Sequence, residues 1–151
     1  RNMIKTLNFT DDTMLDRALL IQKVAYRIEA DLIGFDGIPA LYESKNDLRH
    51  SAEIFVGYFA DDILAAVLSY SQLGEVLDIG RLVVHPDFFR QGIARALVQY
   101  VETIANVRRI TVSTGAKNHP ARKLYEKLGY QLLETVTLDA GVTIAQYEKN
   151  L

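Results

Sequence analysis

Hydrophobic and polar residues alternate with different periods along the chain, and each period predicts an element. Met3 to Phe9 alternates apolar with polar side chains, which predicts a short edge strand. The apolar residues that follow recur every three to four positions, which predicts a helix that begins at Thr10, with that hydroxyl as its cap, and ends before Gly34. A weaker helical pattern covers about Leu41 to Arg49. The first third is therefore predicted as one strand and two helices.

The middle of the chain is rich in predicted strands. Two apolar runs, Ile54 to Phe59 and Ile63 to Tyr70, flank a two-residue aspartate turn and predict a hairpin. A third run, Val76 to Val84, ends at His85-Pro86 because proline cannot donate to a sheet ladder. From Gly92 onward the apolar positions keep a spacing of about 3.6 residues. This spacing predicts the clearest helix of the chain.

The last third repeats the strand and helix alternation. Ile110 to Thr114 is predicted as a buried strand, and a short helix is predicted from Asn118 to its capping residue Gly129. Tyr130 to Leu138 and Val142 to Tyr147 are predicted to form a final hairpin. The predicted order is β-α-α-β-β-β-α-β-α-β-β, a mixed central sheet flanked by helices, of α/β or α+β class.

Composition narrows the classes of function. The 151 residues suit one domain, which we place at residues 3–151 because Arg1 and Asn2 precede Met3 and resemble an addition ahead of the native start. The net charge of −2 gives no basic excess for nucleic acid, and the longest apolar run, Ile63 to Leu68, is too short to cross a membrane. Neither partner is expected. The absence of cysteine excludes thiol chemistry and fits the cytoplasmic location that we expect.

The segment from Gly80 to Ala94 is the first that indicates chemistry, since it runs from a strand through a loop into a helix. Unpaired amides of a first helical turn, with the helix dipole behind them, can hold an anion such as pyrophosphate. Gly92 allows close backbone approach, and Arg90 and Arg95 add positive charge. A glycine that only starts a core-packing helix explains the pattern too. The Walker and dinucleotide glycine motifs are absent, which disfavours nucleotide hydrolases and Rossmann dehydrogenases.

The segment from Asn118 to Tyr130 is the second. Together the two segments resemble motifs A and B of the GCN5-related N-acetyltransferase (GNAT) superfamily, and the element order matches over almost the whole chain. The family's second motif, Asn-x-x-Ala-x-x-Leu-Tyr-x-x-x-Gly-Phe/Tyr, is nearly complete here, in Asn118, Ala121, Leu124, Tyr125, Gly129 and Tyr130. The first motif begins with Gln or Arg in the family and with Phe89 here. We expect altered loop packing rather than lost binding.

This resemblance implies that the chain binds acetyl-CoA, as a co-substrate, between the strands Val76–Val84 and Ile110–Thr114. The pantetheine arm would pair with the main chain of the first strand, and the amides of the loop and first helical turn would hold the pyrophosphate. The implied cofactor-binding residues are Leu82, Val83, Val84, Arg90, Gln91, Gly92, Ile93, Ala94, Arg95, Asn118 and Tyr125.

The resemblance also implies that Tyr125 is the general acid that protonates the leaving thiolate. A phenol with a pKa near ~10 can assist a thiolate with a pKa near ~8.5. Helix periodicity alone favours a core aromatic at this position, and only the surrounding motif reverses that interpretation. An amide near Leu82 or Val83 would stabilise the oxyanion. For the general base we favour Asp78 over Glu75, which a regular strand places on opposite faces, and each also fits a solvated carboxylate. No histidine is spaced as a metal ligand pair, so no metal is expected.

The predicted function is transfer of an acetyl group from acetyl-CoA to a primary amine by direct attack on the thioester. The acceptor, a small molecule or a peptide, is set in the family by regions corresponding to Tyr26–Ser51 and Thr137–Val142. The first region holds residues that could attract a cationic amine: Tyr26, Glu29, Asp31, Phe35, Asp36, Tyr42 and Glu43. The alternatives are an acyl-CoA-sensing module without catalysis and a scaffold that binds no nucleotide. Homodimers are common among similar proteins, and the predicted edge strands permit one.

Overall fold

A seven-stranded sheet with helices on both faces makes up the protein, in a computed structural model that describes residues 1–151. The strands are Asn2–Thr6 (β1), Ile54–Ala60 (β2), Ile63–Leu73 (β3), Val76–Val84 (β4), Arg109–Gly115 (β5), Gln131–Thr137 (β6) and Thr143–Asn150 (β7). The helices are Asp12–Ile33 (α1), Lys45–Arg49 (α2), Ile93–Val101 (α3) and His119–Lys127 (α4). The predicted element order and mixed class are both confirmed.

Each face of the sheet has its own apolar core. The amphipathic helix α3 buries Leu97 and Val98 against one face, where α4 also packs. The helix α1 buries Leu15 and Ile21 against the other face, where Leu48 of α2 joins them. None of the helices combines the length and the apolar character that crossing a bilayer requires.

Two predicted helix boundaries are wrong, and in both cases a neighbouring side chain caps better. Thr10 does not cap α1, because the Asp11 carboxylate accepts from the amides of Thr13 and Met14 at 3.0 and 3.2 Å. The predicted helix Leu41–Arg49 is split into a 3₁₀ turn, Pro39–Tyr42, and the separate helix α2. The helix α2 starts anew because Ser44 and Asp47 form a capping box, in which each side chain accepts a hydrogen bond from the other residue's amide.

The sheet contains a gap between two of its central strands. The strand order is β1-β2-β3-β4-β5-β7-β6, and β4 and β5 form the parallel pair. Their pairing runs only from Val76 opposite Arg109 to Ile79 opposite Val112, so the rest of both strands diverges. Opposite β3, Gly80 is an extra residue that shifts the register and forms a bulge. Beyond the bulge, the β5-facing edge of β4 has no partner strand.

Candidate active site

A cavity of about 320 Å³ lies where β4 and β5 part. Tyr26 and Glu29 of α1 line it from one face of the sheet, and Tyr125 of α4 lines it from the other. Side chains from opposite faces can share a cavity because the two strands have separated at this point. Most of the remaining wall is apolar and comes from the loop after α1 and from the final hairpin, as Phe35, Ile38, Pro39, Leu138, Ala140, Val142 and Ile144.

The end of α4 places the Tyr125 ring at this cavity. Gly129 lies in the left-handed region at φ +90°, and its amide donates to the Glu126 carbonyl at 3.1 Å. The next amide, that of Tyr130, donates to the Tyr125 carbonyl at 2.9 Å, which completes a Schellman motif. The rings of Tyr125 and Tyr130 meet edge to face, with centroids 5.6 Å apart. The predicted cap at Gly129 is confirmed, and it explains the Tyr-x-x-x-Gly-Tyr spacing.

The Tyr125 side chain is nearly fully buried, at 3% exposed, yet its hydroxyl makes no hydrogen bond within the protein. Burial raises the pKa of Tyr125 well above that of an ordinary phenol, and the nearby Tyr26 and Glu29 raise it further. The phenol therefore stays protonated at neutral pH. On its far side the ring packs against Tyr147, with centroids 6.1 Å apart. An oriented phenol with an unused proton faces the cavity.

Glu29 is the one carboxylate among the cavity-lining residues. Its Oε1 accepts from Asn118 Nδ2 at 2.8 Å, and Asn118 Oδ1 accepts from the Ala121 amide at 3.2 Å, which caps α4. Burial raises the pKa of Glu29, and the Asn118 bond opposes that rise. Each end of the Asn118 amide makes one hydrogen bond within the protein, which leaves one Nδ2 proton free, and the cofactor contact of this residue stays a prediction.

Arg81 is a site residue that the sequence analysis missed. It lines the cavity but is only 9% exposed, and its guanidinium contacts Glu43 Oε2 at 2.7 Å and Glu53 Oε2 at 3.2 Å. The same group donates to Ser69 Oγ at 3.2 Å. A Cβ on Gly80 would overlap the Glu53 carboxylate, so the glycine that forms the bulge also makes room for this ion-pair network. Gly80 is the only feature of the local sequence that could have indicated the role of Arg81.

The loop before α3 lies outside the cavity and is built differently. Arg90 and Gly92 both have positive φ, at +63° and +73°, and no side chain caps the helix. The amides of residues 91–95 donate no hydrogen bond within the protein. A Cβ on Gly92 would meet no atom within 4 Å, so the space beside this residue is open. Phe89 is 45% exposed beside them.

The three predicted pantetheine-binding residues of β4 have different surroundings. Leu82 lines the cavity, Val83 is buried in the core beneath α1, and Val84 is half-buried on the α3 side. All three lie beyond the last residue of β4 that pairs with β5. Their main chain therefore has an open edge on the side of β5, whichever way the side chains point, and the pantetheine contact there stays a prediction.

Neither predicted general base lines the cavity. The Asp78 carboxylate is exposed and accepts from the Thr111 hydroxyl at 2.6 Å, while Glu75 is an exposed turn residue. On a regular strand Asp78 would share a face with Leu82, but the extra residue at Gly80 reverses the alternation of side chains between them. The structure therefore brings Tyr125 together with Glu29 rather than with either of the predicted bases.

The predicted acceptor residues divide into two groups. Tyr26, Glu29 and Phe35 line the cavity, and Glu43 contacts it through Arg81. The exposed residues Asp31, Asp36 and Tyr42 do not line it.

Comparison with known families places residues 22–130 in the Acetyltransferase (GNAT) family. A curated relative, the UPF0157 protein YqkA of Bacillus subtilis (strain 168), is 42% identical over 146 residues. That match covers 96% of this chain and 43% of the relative, so the chain spans less than half the length of the relative.

Solved structures share the fold at low sequence identity. The PaiA N-acetyltransferase from Thermoplasma acidophilum, in complex with coenzyme A, superposes with a TM-score of 0.80 at 17% identity, covering 100% of this chain and 99% of that one. The ribosomal-protein-S18-alanine N-acetyltransferase from Escherichia coli gives 0.76 at 20% identity, covering 99% and 94%. An aminoglycoside 6'-N-acetyltransferase complexed with coenzyme A gives 0.75 at 16%, covering 98% and 96%.

Proposed function

The chain belongs to the acetyltransferase (GNAT) family, and from that premise we propose that it transfers an acetyl group from acetyl-CoA to a primary amine. One observation carries the proposal most directly. The unbonded hydroxyl of Tyr125 lies at a cavity that passes between β4 and β5, and a carboxylate lines the same cavity from the opposite face of the sheet. A proton donor and a proton acceptor thus share one site with a strand edge that is free to bind an extended ligand.

The main chain suits two parts of acetyl-CoA, the charged pyrophosphate and the extended pantetheine arm. We expect the pyrophosphate to bind the free amides of residues 91–95, with Arg90 beside it. The open edge of Leu82, Val83 and Val84 is suited to hydrogen-bond the pantetheine arm as an added strand would. Two solved proteins with this fold are complexed with coenzyme A, which supports a coenzyme A thioester as the co-substrate. Asn118 keeps one free Nδ2 proton and stays a candidate contact near the pantetheine end of the cofactor.

The cofactor supplies an activated thioester, and the chain supplies acid catalysis and electrostatic stabilisation. Tyr125 remains protonated at neutral pH, so it can donate its phenolic proton to the departing thiolate. A main-chain amide on the open edge near Leu82 is the donor that we propose for the negative charge on the carbonyl oxygen. Both groups are fixed before the reaction, since one belongs to the sheet and the other to a helix end held by a Schellman motif.

Turnover of the Tyr125→Phe variant tests this function. Thiol release from acetyl-CoA is measured with a panel of primary amines, and acetyl-CoA affinity is measured by calorimetry. We expect the kcat of Tyr125→Phe to fall about 100-fold with its Kd for acetyl-CoA unchanged. Tyr42→Phe is the matched control, since Tyr42 is 65% exposed and lies away from the cavity.

The other outcomes separate the alternatives. Tight acetyl-CoA binding without turnover on any amine would favour the acyl-CoA-sensing module. Turnover that is the same in Tyr125→Phe as in the unaltered chain would contradict the acid role.

Two further expectations remain proposals. The absence of cysteine supports a cytoplasmic location. A homodimer would use one of the two edge strands, of which β6 exposes Leu132 and Leu133. Sedimentation equilibrium of the purified chain measures its mass in solution directly.

A further inference from the structure

We infer that Glu29 binds the ammonium group of the acceptor and takes its proton, and that the acceptor is a singly charged primary amine on an apolar body. The inference rests on the proposed function, and it names both a catalytic residue and a class of acceptor. It replaces Asp78 and Glu75, which lie outside the cavity.

The position of Glu29 supports the inference. Glu29 and Tyr125 line one cavity from opposite faces of the sheet, so a group bound between β4 and β5 has a carboxylate on one side and a phenol on the other. Only one oxygen of Glu29 is used within the protein, as the acceptor from Asn118. The second oxygen makes no hydrogen bond or ion pair there, so it can accept from an ammonium group.

Asn118 fixes the two groups relative to each other. Its Nδ2 holds Glu29 at 2.8 Å, and its Oδ1 caps the helix that carries Tyr125 seven residues later. A shift of α4 would therefore move the phenol and the carboxylate together. Such prior orientation is what general acid and base catalysis requires of its side chains.

The charges around Glu29 leave it free to act on a ligand. The other ionisable side chains of the cavity wall are Tyr26 on the same helix, Tyr125 on α4 and Arg81 on β4, whereas β5 and the final hairpin add none. Arg81 does not neutralise Glu29, because it is already paired with Glu43 and Glu53. Burial raises the pKa of Glu29, which brings its basicity closer to that of an effective base at neutral pH.

The rest of the wall indicates the class of acceptor. Phe35, Ile38 and Leu138 are among the apolar residues that surround the single carboxylate. One carboxylate matches one ammonium, and an apolar wall matches an alkyl or aryl body. Further ammonium groups, as in a polyamine or an aminoglycoside, would lose hydration against that wall without a partner, which is costly.

The proton balance of the transfer uses both residues. As the C–N bond forms and the C–S bond of the thioester breaks, the acceptor passes from R–NH₃⁺ to R–NH–CO–CH₃ and loses two protons. Glu29 takes the first proton and passes it to solvent. The second replaces the proton that Tyr125 gives to the thiolate, so the products are the amide, the free thiol and one released proton.

The test compares Glu29→Gln with the unaltered chain, using saturating acetyl-CoA and phenethylamine from pH 6.5 to 9.5. Glutamine keeps an oxygen for Asn118 but cannot take a proton. We expect kcat/KM for phenethylamine to fall about 100-fold at pH 7, and the deficit to shrink toward pH 9.5 as the fraction of free amine rises. Acetyl-CoA affinity stays unchanged. Asp31→Asn removes a carboxylate from an exposed position of the same helix and serves as the control.

Each other outcome contradicts the inference while leaving the proposed function testable by other amines. A deficit of the same size at every pH would show a structural role of Glu29 only. Activity with spermidine or kanamycin and none with phenethylamine would overturn the acceptor class, as would an absence of thiol release with phenethylamine altogether. A separate result, that the unaltered chain does not bind acetyl-CoA, would refute the proposed function itself.

Discussion

The two halves of the candidate site are built from different parts of the chain. The loop before α3 and the first turn of that helix present consecutive unbonded main-chain amides, and no side chain caps the helix. The cavity between β4 and β5 is formed by side chains from two α-helices, three strands and two loops. A main-chain site tolerates side-chain changes such as Phe89, whereas a side-chain site depends on each partner. Substitutions should therefore affect the two halves in different ways.

The largest expected effect comes from breaking the ion-pair network of the cavity. Arg81→Met leaves the carboxylates of Glu43 and Glu53 half-buried without their cation, which should lower the free energy of unfolding by about 3 kcal/mol. Urea denaturation measures this loss. Arg27→Met, at an exposed position of α1, should change stability by less than about 0.5 kcal/mol. Equal losses in the two variants would contradict the side-chain account of the cavity.

A substitution in the loop before α3 should lower the affinity for acetyl-CoA. Gly92→Glu places a negative charge and a strained residue beside the free amides, and we expect the Kd for acetyl-CoA to rise about 100-fold. Gly74→Glu is a matched control, because Gly74 also has positive φ, at +61°, and open space around its Cα. Calorimetry should detect normal affinity in the control. An equal loss in both variants would attribute the effect to backbone strain alone.

A smaller effect concerns stability and pH. Because burial raises the pKa of Glu29 in the folded chain, the folded state holds this proton more tightly than the unfolded state does. The ionised carboxylate therefore lowers stability increasingly as pH rises above its ordinary range near 4.5. Glu29→Gln should be more stable than the unaltered chain at pH 7, and the gain should vanish toward pH 4. Urea denaturation at both pH values measures this gain, and a gain that is larger at pH 4 than at pH 7 would contradict the account.

The smallest effect is expected at Phe89. Phe89→Gln restores the residue type that the resembling family carries at the first loop position, but the amides that we expect to bind phosphate are unaltered. The Kd for acetyl-CoA should change by less than about twofold, which corresponds to less than about 0.4 kcal/mol. A tenfold improvement would mean that the side chain at this position, and not the main chain alone, binds the cofactor.

Sequence alone could predict the parts of the molecule that are local in the chain. Tyr125, Gly129 and Tyr130 belong to one helix and its Schellman motif, so their spacing encodes their geometry. The loop at Arg90 and Gly92 could be predicted for the same reason, since backbone turns and helix starts involve neighbours in sequence. The strand and helix order followed from hydrophobic periodicity for the same reason.

The remainder depends on contacts between distant residues. Glu29 and Asn118 bond across 89 positions, and Arg81 and Glu43 across 38, so no window of sequence contains either pair. The bulge at Gly80 places Asp78 on the opposite face of the sheet from Leu82. A single glycine in a strand does not reveal that the register shifts there. The acceptor half of the site could therefore be outlined as a region but not assigned residue by residue.

The most direct test of the account is the melting temperature of the purified chain with acetyl-CoA, beside NAD and ATP controls. Acetyl-CoA at 100 times its Kd should stabilise the folded chain by about 2.7 kcal/mol, which raises the melting temperature of a domain of this size by about 5–10 °C. We predict this rise with acetyl-CoA and none with NAD or ATP. No rise at millimolar acetyl-CoA would contradict the central claim that the open main chain before α3 and along β4 is a coenzyme A site.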